Sequence, residues 1–571
     1  MHDRVLRGGR VIDGTGAAGR TADVAIDNGR ITLVGRAGPG REEIDCDGLI
    51  VTPGFVDPHT HYDGQATWDP DVTPSGWHGV TTVVMGNCGV GFAPARKADR
   101  DWIVQVMEGV EDIPGSALHE GIRWGWETFP EYLDALERLP RSLDIGAQVP
   151  HAAVRAWVMG ARAAEDEPAT AADIAAMRAL VAEGLRAGAL GFTTSRTSLH
   201  KTKEGKFVAG TFSEVEELEG ICAALGEVGH GVFGCADEHV MLPSDLPWLR
   251  GIAARTQRPV IANLSQSDFA PEVYREVVAG LESAAADGVP LYAQVAGRAI
   301  GILMHWRGTA HPFALHPTWK ALAARPWEEA KAALRDPAVR AKLIAEAPEE
   351  AGMFEFYVTR TFEKMYPFHD ASDYEPDPST SVAAVAARTG RAPLEVAYDA
   401  LMENDADGWL YFPIFNYSHG SLDLLHSLHQ HPRTLFGLSD GGAHCGAICD
   451  GGMPTFMLTH WARDRSRGDR LPLEHVIRRQ TRDTAWMYGL RDRGVLAPGM
   501  RADINVIDLD RLAVLPPTMA WDLPAGGRRL IQRAQGYRAT LLAGALVREF
   551  DEATGIRPGK VIRGPQAALE G

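Results

Sequence analysis

The chain has 571 residues, 45% hydrophobic and 23% charged, which is ordinary globular composition with room for two domains or one large domain with an accessory. Its net charge of -18 argues against non-specific binding to nucleic acid or to an anionic membrane surface. No run of about 18 apolar residues predicts a spanning helix, the start Met1–Val5 lacks a signal-peptide layout, and six cysteines are too few for a disulfide framework in a chain this long, so a cytoplasmic protein is expected.

Residues 1–52 read as short strands, with Val24–Ile26 and Ile31–Val34 flanking a tight hairpin signal at Asp27-Asn28-Gly29-Arg30. The last stretch, 498–571, has the same character at Ala502–Ile507 and Leu541–Val547. Strands at both ends around a long middle predict one β domain from 1–52 plus 498–571, and a separate unit over 53–497. The middle alternates apolar strands with helical stretches, which implies parallel strands joined by crossover helices. Eight candidate strands are Phe55–His59, Val80–Met85, Ile145–Val149, Leu190–Thr193, Val232–Gly234, Val260–Ala262, Leu291–Val295 and Leu435–Ser439. That number fits an α/β fold of the (β/α)8 barrel type. One helix is explicit: Thr170–Asp173 is a capping box, Ile174, Met177, Leu180, Val181 and Leu185 form one apolar stripe, and Gly188 is a stop. Residues 296–433 are too long to stay structureless in a compact domain and predict an inserted subdomain that covers the site.

Barrel enzymes act at the C-terminal ends of their strands. The first strand ends in Asp57-Pro58-His59-Thr60-His61, where alternation points both imidazoles the same way and suits a divalent metal. Asp57 shares that face and is placed to orient a histidine. Glycines surround Cys88 after the second strand, and its thiolate is a candidate zinc ligand or a plain buried thiol. His151, after the third strand, either polarises a substrate carbonyl or sits satisfied in the core. Arg196, near His200 after the fourth, either clamps a substrate carboxylate or makes a surface ion pair. Asp440 ends the eighth strand in Ser439-Asp440-Gly441-Gly442, where a carboxylate can touch a metal and take a proton from its water.

Taken together, Pro53–His61, Gly86–Gly89, His151–Gly160, Gly188–Thr194, Ser439–Gly441, Gly494–Asp503 and Thr554–Val561 resemble the D-aminoacylase (N-acyl-D-amino-acid deacylase) branch of the metal-dependent amidohydrolase superfamily, over nearly the whole chain. The resemblance implies a (β/α)8 barrel with a small β-sandwich built from both termini. It implies hydrolysis of an N-acyl amide bond, with zinc held by His59, His61, Cys88 as a bridging ligand and Asp440, which is also the general base. The chain departs from that pattern where the family has histidines at the ends of strands five and six. Strand five here runs into Cys235-Ala236-Asp237-Glu238-His239, and strand six into Ala262-Asn263-Leu264-Ser265. One zinc is therefore expected, with Asp237, Glu238 or His239 as the only replacements near strand five. The turn Thr193–Thr197 also differs, so the substrate pocket is expected to differ. A small-molecule amide is the expected partner and the oligomeric state stays open. The alternatives are a cyclic amide, dipeptide or other secondary-metabolite amide as substrate, or a lapsed barrel that only binds. A deaminase would need a strand-five histidine, which only His239 supplies.

Overall fold

The computed structural model describes residues 1–238, 242–369 and 373–567. Eight strands form its centre: β1 (Phe55–Asp57), β2 (Val80–Met85), β3 (Asp144–Ala147, resumed at Val149–Pro150), β4 (Gly191–Ser195), β5 (Val232–Ala236), β6 (Val260–Asn263), β7 (Leu291–Ala296) and β8 (Thr434–Gly437). Each pairs in parallel with the next, from β1 through β8. The two ends meet beyond the strands. Asp440 donates its backbone N–H to His59, His61 donates to Gly441, and Thr60 bridges Gly441 in parallel. The result is the expected (β/α)8 barrel. Its strands are apolar on both faces because crossover helices cover the outside. β8 stops short of its expected end because Leu438 and Asp440 take left-handed backbone (φ 57° and 48°), which breaks the ladder.

The helix signalled by its capping box spans Ala171–Ala187. Thr170 accepts from the N–H of Asp173, Gly188 closes it at φ 119°, and Met177, Val181 and Leu185 are buried. Residues from both termini share one nine-stranded sheet, in which Ile504–Ile507 pairs antiparallel with Ile50–Pro53. The hairpin around Asn28-Gly29 forms as expected, with both residues left-handed. The apolar run at 541–547 differs from the single stretch read in the sequence. It turns at Ala543-Gly544 into a second hairpin, Tyr537–Leu542 with Ala545–Glu549. Residues 559–566 leave the terminal sheet and run along the barrel, where Val561 bridges Ile145 and Gln566 bridges Leu490. Between β7 and β8 the chain folds into several helices and a three-stranded sheet, including Met353–Arg360 and Leu410–Pro413. Among the described residues no helix is long and apolar enough to cross a membrane.

A buried ion cluster joins the terminal sheet to the start of the barrel strands. Arg493 donates to Asp144 at 2.8 Å, to Thr82 at 2.9 Å and to Asp492 at 2.9 Å, while Arg501 lies 3.0 Å from both Asp144 and Asp503. Burial opposes the charge on Arg493, but these carboxylates outweigh it. Removing one partner of a buried pair strands the other charge. Arg493→Met is expected to lose about 3–5 kcal/mol of stability, read as a lower denaturation midpoint. A midpoint equal to wild type would contradict that role.

Candidate metal centre and active site

His59 and His61 stand just beyond β1, and each has one ring nitrogen held from behind. His59 Nδ1 donates to Gln294 Oε1 at 2.7 Å, and His61 Nδ1 lies 3.2 Å from Glu111 Oε1. Both Nε2 atoms then face forward. His59 Nε2 is 3.3 Å from Cys88 Sγ and 3.2 Å from Asp440 Oδ1, and His61 Nε2 is 3.5 Å from the same Asp440 oxygen. Four ligand atoms bound tetrahedrally at the usual zinc distances stand roughly 3.3–3.8 Å apart. His59, His61 and Cys88 offer ligand atoms within 4.8 Å of one another. The donor set of two imidazoles, a thiol and a carboxylate suits zinc.

The electrostatics point the same way. Burial pushes the His61 imidazole down to about 4, so it is neutral as a ligand must be. Burial also opposes ionisation of Asp440, yet its contacts with His59 and His444 and the hydrogen bond from His61 outweigh it and hold the carboxyl well below the usual range. Glu111 and Cys88 are pushed well above their ordinary values by burial and by surrounding negative charge, which a cation in their midst would reverse. His61 Nδ1 and Glu111 Oε1 are both buried and lie 3.2 Å apart on the side of the ring away from Asp440, without a well-aligned hydrogen bond between them. These residues therefore fit the metal.

Local backbone strain collects at this spot. Cys88, Leu438, Asp440 and His444 all have left-handed φ between 48° and 57°. Such outliers persist only where their surroundings over-determine them, and they cluster at functional sites. Gly86 explains how Cys88 gets there. A Cβ at Gly86 would sit 2.4 Å from the carbonyl oxygen of Gln148, and its φ is +80°.

The site opens into a cavity of 510 Å³. Its floor carries His59, His61, Cys88 and Asp440. Its walls are mostly apolar and include Ile300, Ile302, Phe354, Val358, Ile414 and Ile448. Helix Met353–Arg360, from the segment between β7 and β8, contributes to the roof.

Not every expected residue comes to this cavity. His151 is buried with both nitrogens occupied, by Thr194 Oγ1 at 2.9 Å and Glu217 Oε1 at 2.9 Å, because the helix beginning at His151 turns its ring away from the cavity. Arg196 donates to the Ser213 carbonyl at 2.8 Å and lies 3.7 Å from Asp245; it does not line the cavity. Asp57 accepts from the His59 backbone at 3.2 Å and from the Ser439 hydroxyl, tying β1 to β8 instead of orienting an imidazole. Ala236 and Asn263 face the cavity where strand-end histidines would stand. Asp237 also lines it, but does not group with the three metal-competent residues; Glu238 is engaged by the Ser198 N–H, and His239 lies outside the described residues.

Glu111 and Gln294 are the residues that strand-end reasoning misses. Gln294 had a signal, a lone polar residue in the apolar run Leu291–Ala296. Glu111 follows the helix Arg100–Val110 and has none. A carboxylate behind a metal-binding imidazole fixes its tautomer and orientation. Glu111→Gln is therefore expected to weaken zinc binding about 10–100-fold, measured by competition with a chromophoric chelator. Unchanged affinity would remove Glu111 from that role.

A parallel eight-stranded barrel with two histidines after its first strand and an aspartate after its last defines a metal-dependent hydrolase. Residues 42–548 match the Amidohydrolase family, and the chain belongs to it. The chain is 29% identical to a D-aminoacylase of Alcaligenes xylosoxydans xylosoxydans, covering 98% of this chain and 97% of that protein. A solved D-aminoacylase, studied for its binuclear metal centre, superposes with a TM-score of 0.65 at 25% identity, over 99% of this chain and 100% of the other. N-acyl-D-glutamate deacylase from Bordetella bronchiseptica, solved with zinc and a phosphonate inhibitor, shares the fold with a TM-score of 0.64 at 23% identity, over the same shares of the two chains.

Proposed function

We propose that this protein is a zinc-dependent amidohydrolase that cleaves the N-acyl amide bond of an N-acyl-D-amino acid. The observation that carries the reading is the grouping of His59, His61 and Cys88 at the barrel mouth, with Asp440 Oδ1 within 3.5 Å of both imidazole Nε2 atoms. Those three residues and Asp440 would hold the metal. Strands five and six offer Ala236 and Asn263, so the site takes one ion. Zinc bound there supplies a Lewis acid and brings the pKa of its water toward about 7.

The chain's own groups do the rest. Gln294 and Glu111 lock the two imidazoles with Nε2 forward. Asp440, kept ionised by its histidine neighbours, accepts the proton of the attacking water and delivers it to the departing nitrogen. The apolar walls seat the acyl group and side chain and exclude bulk water. The relative named D-aminoacylase, similar along nearly its full length, supports the choice of substrate.

The test is amine release from a panel of N-acyl-D- and N-acyl-L-amino acids by zinc-loaded protein. Turnover of D-substrates is expected. Protein that carries zinc and hydrolyses none of them would defeat the reading. One observation favours a second one: no Lys or Arg lines the cavity among the described residues, so a substrate carboxylate has no fixed cation to meet. An amide without a carboxylate, cyclic or otherwise, suits such a cavity, and mass spectrometry of the products separates the two readings.

A further inference from the structure

Five carboxylates line the cavity among the described residues: Glu111, Asp112, Asp237, Glu355 and Asp440. Four are accounted for. Asp440 faces the histidines, and Glu111 lies behind His61. Asp112 accepts from Thr309 Oγ1 at 2.8 Å and from the Gly446 N–H at 3.0 Å, and Glu355 is solvent-exposed.

Asp237 is different. It is 2% exposed, and among the described residues neither carboxylate oxygen has a well-aligned hydrogen-bond partner; its polar neighbours are the Asp245 carboxyl and the Glu238 backbone. Ser265, on the same cavity, is 4% exposed and its hydroxyl is also unpartnered. Buried polar groups are rarely left in this state, and each one calls for an explanation. The nearby cation Arg196 is already taken by Asp245 and the Ser213 carbonyl. Burial, reinforced by the Asp245 carboxylate, pushes Asp237 up to about 8. His200, the cavity histidine beyond β4, is pushed down to about 3 by burial and by its histidine neighbours, so it brings no positive charge.

Resting on the amidohydrolase reading above, we propose that Asp237 and Ser265 form a subsite for a protonated nitrogen, so that the preferred substrate is an amide bearing an amino or guanidino group. The incoming N–H donors give each of these two acceptors a partner, and the positive charge draws Asp237 into its ionised form against the burial and the Asp245 carboxylate that hold it protonated. A neutral chain of the same length fills the apolar walls but leaves both groups as they are.

The test compares N-acetyl-D-lysine, N-acetyl-D-norleucine and N-acetyl-D-glutamate with zinc-loaded, full-length protein. The lysine substrate is expected to exceed norleucine in kcat/KM by about tenfold, or ~1.4 kcal/mol. Asp237→Asn, of equal size, is expected to bring that ratio to about one with zinc content retained. Ser265→Ala is expected to lower it less. Equal rates on the two substrates in wild type, or a ratio that survives Asp237→Asn, would overturn the subsite. So would a preference for glutamate, which makes Asp237 a neutral donor to an anion, or loss of zinc in Asp237→Asn, which makes it a ligand. Binding of the same compounds to Asp440→Asn protein reads the preference without turnover. No preference there overturns the subsite; a preference there with no hydrolysis by wild type overturns the hydrolase reading and leaves the subsite standing.

Discussion

Asp440→Asn is expected to lower kcat/KM by about 10²–10⁴, the range over which a positioned general base contributes. The substitution is close to a pure test of charge. Asn has the size of Asp and tolerates the left-handed backbone found here at φ 48°, so the turn should survive. His59, His61 and Cys88 remain to hold the ion. What disappears is the carboxylate oxygen that, alone among the described residues, stands within 3.5 Å of both forward-facing imidazole nitrogens, and with it the proton acceptor. Its contacts with the neighbouring histidines hold this acid below the usual carboxylate range, which favours the ionised form that a base requires. The measurement is steady-state hydrolysis alongside metal content on the same preparation. Zinc-loaded Asp440→Asn protein working at the wild-type rate would refute the assignment of the base.

The second large effect concerns the metal itself. Protein purified without chelator is expected to carry one zinc per chain, and the His59→Ala/His61→Ala double variant none, with activity at background. Two of the four donors go at once. What remains is the Asp440 carboxylate and a thiol that burial and nearby carboxylates disfavour as a thiolate, and two donors cannot close a tetrahedral site. Loss of the ion should also cost stability, because a ligand that binds only the folded state adds about 4 kcal/mol at a thousandfold excess over its Kd. Metal analysis and thermal denaturation before and after chelation read both consequences. Two ions per chain in wild type would show that Ala236 and Asn263 do not mark a missing second position.

The sequence made the barrel legible because parallel strands covered on both faces are continuous apolar runs, and all eight lie where such runs occur. It made the candidate metal donors legible because each stands within four residues of a strand end. The same rule misled at His151 and Arg196. Chain position says which end of the barrel a residue reaches, not which way its side chain turns; the first is drawn toward Glu217 and the second toward Asp245. Glu111 was invisible for the opposite reason. It arrives from the connection between β2 and β3 among other acidic residues such as Glu108 and Asp112, and only the fold brings it behind His61. Asp237 stands in the sequence as one of three alternatives, with Glu238 and His239, for a missing ligand; that it is buried beside the Asp245 carboxyl with no well-aligned partner among the described residues emerges only in three dimensions.

The seam between β1 and β8 lies beyond the strands, at the backbone bonds joining His59 and His61 to Asp440 and Gly441. Chemistry and architecture thus share the same few peptide groups. An inserted loop, a circular permutation cut or a proteolytic nick between residues 58 and 62 would undo ring closure and ion capture in one stroke, whereas cuts in the outer connections need do neither. The roof and walls of the cavity take no part in that seam, whereas displacing residues 59–61 or 440–441 moves ring closure and the candidate metal donors together.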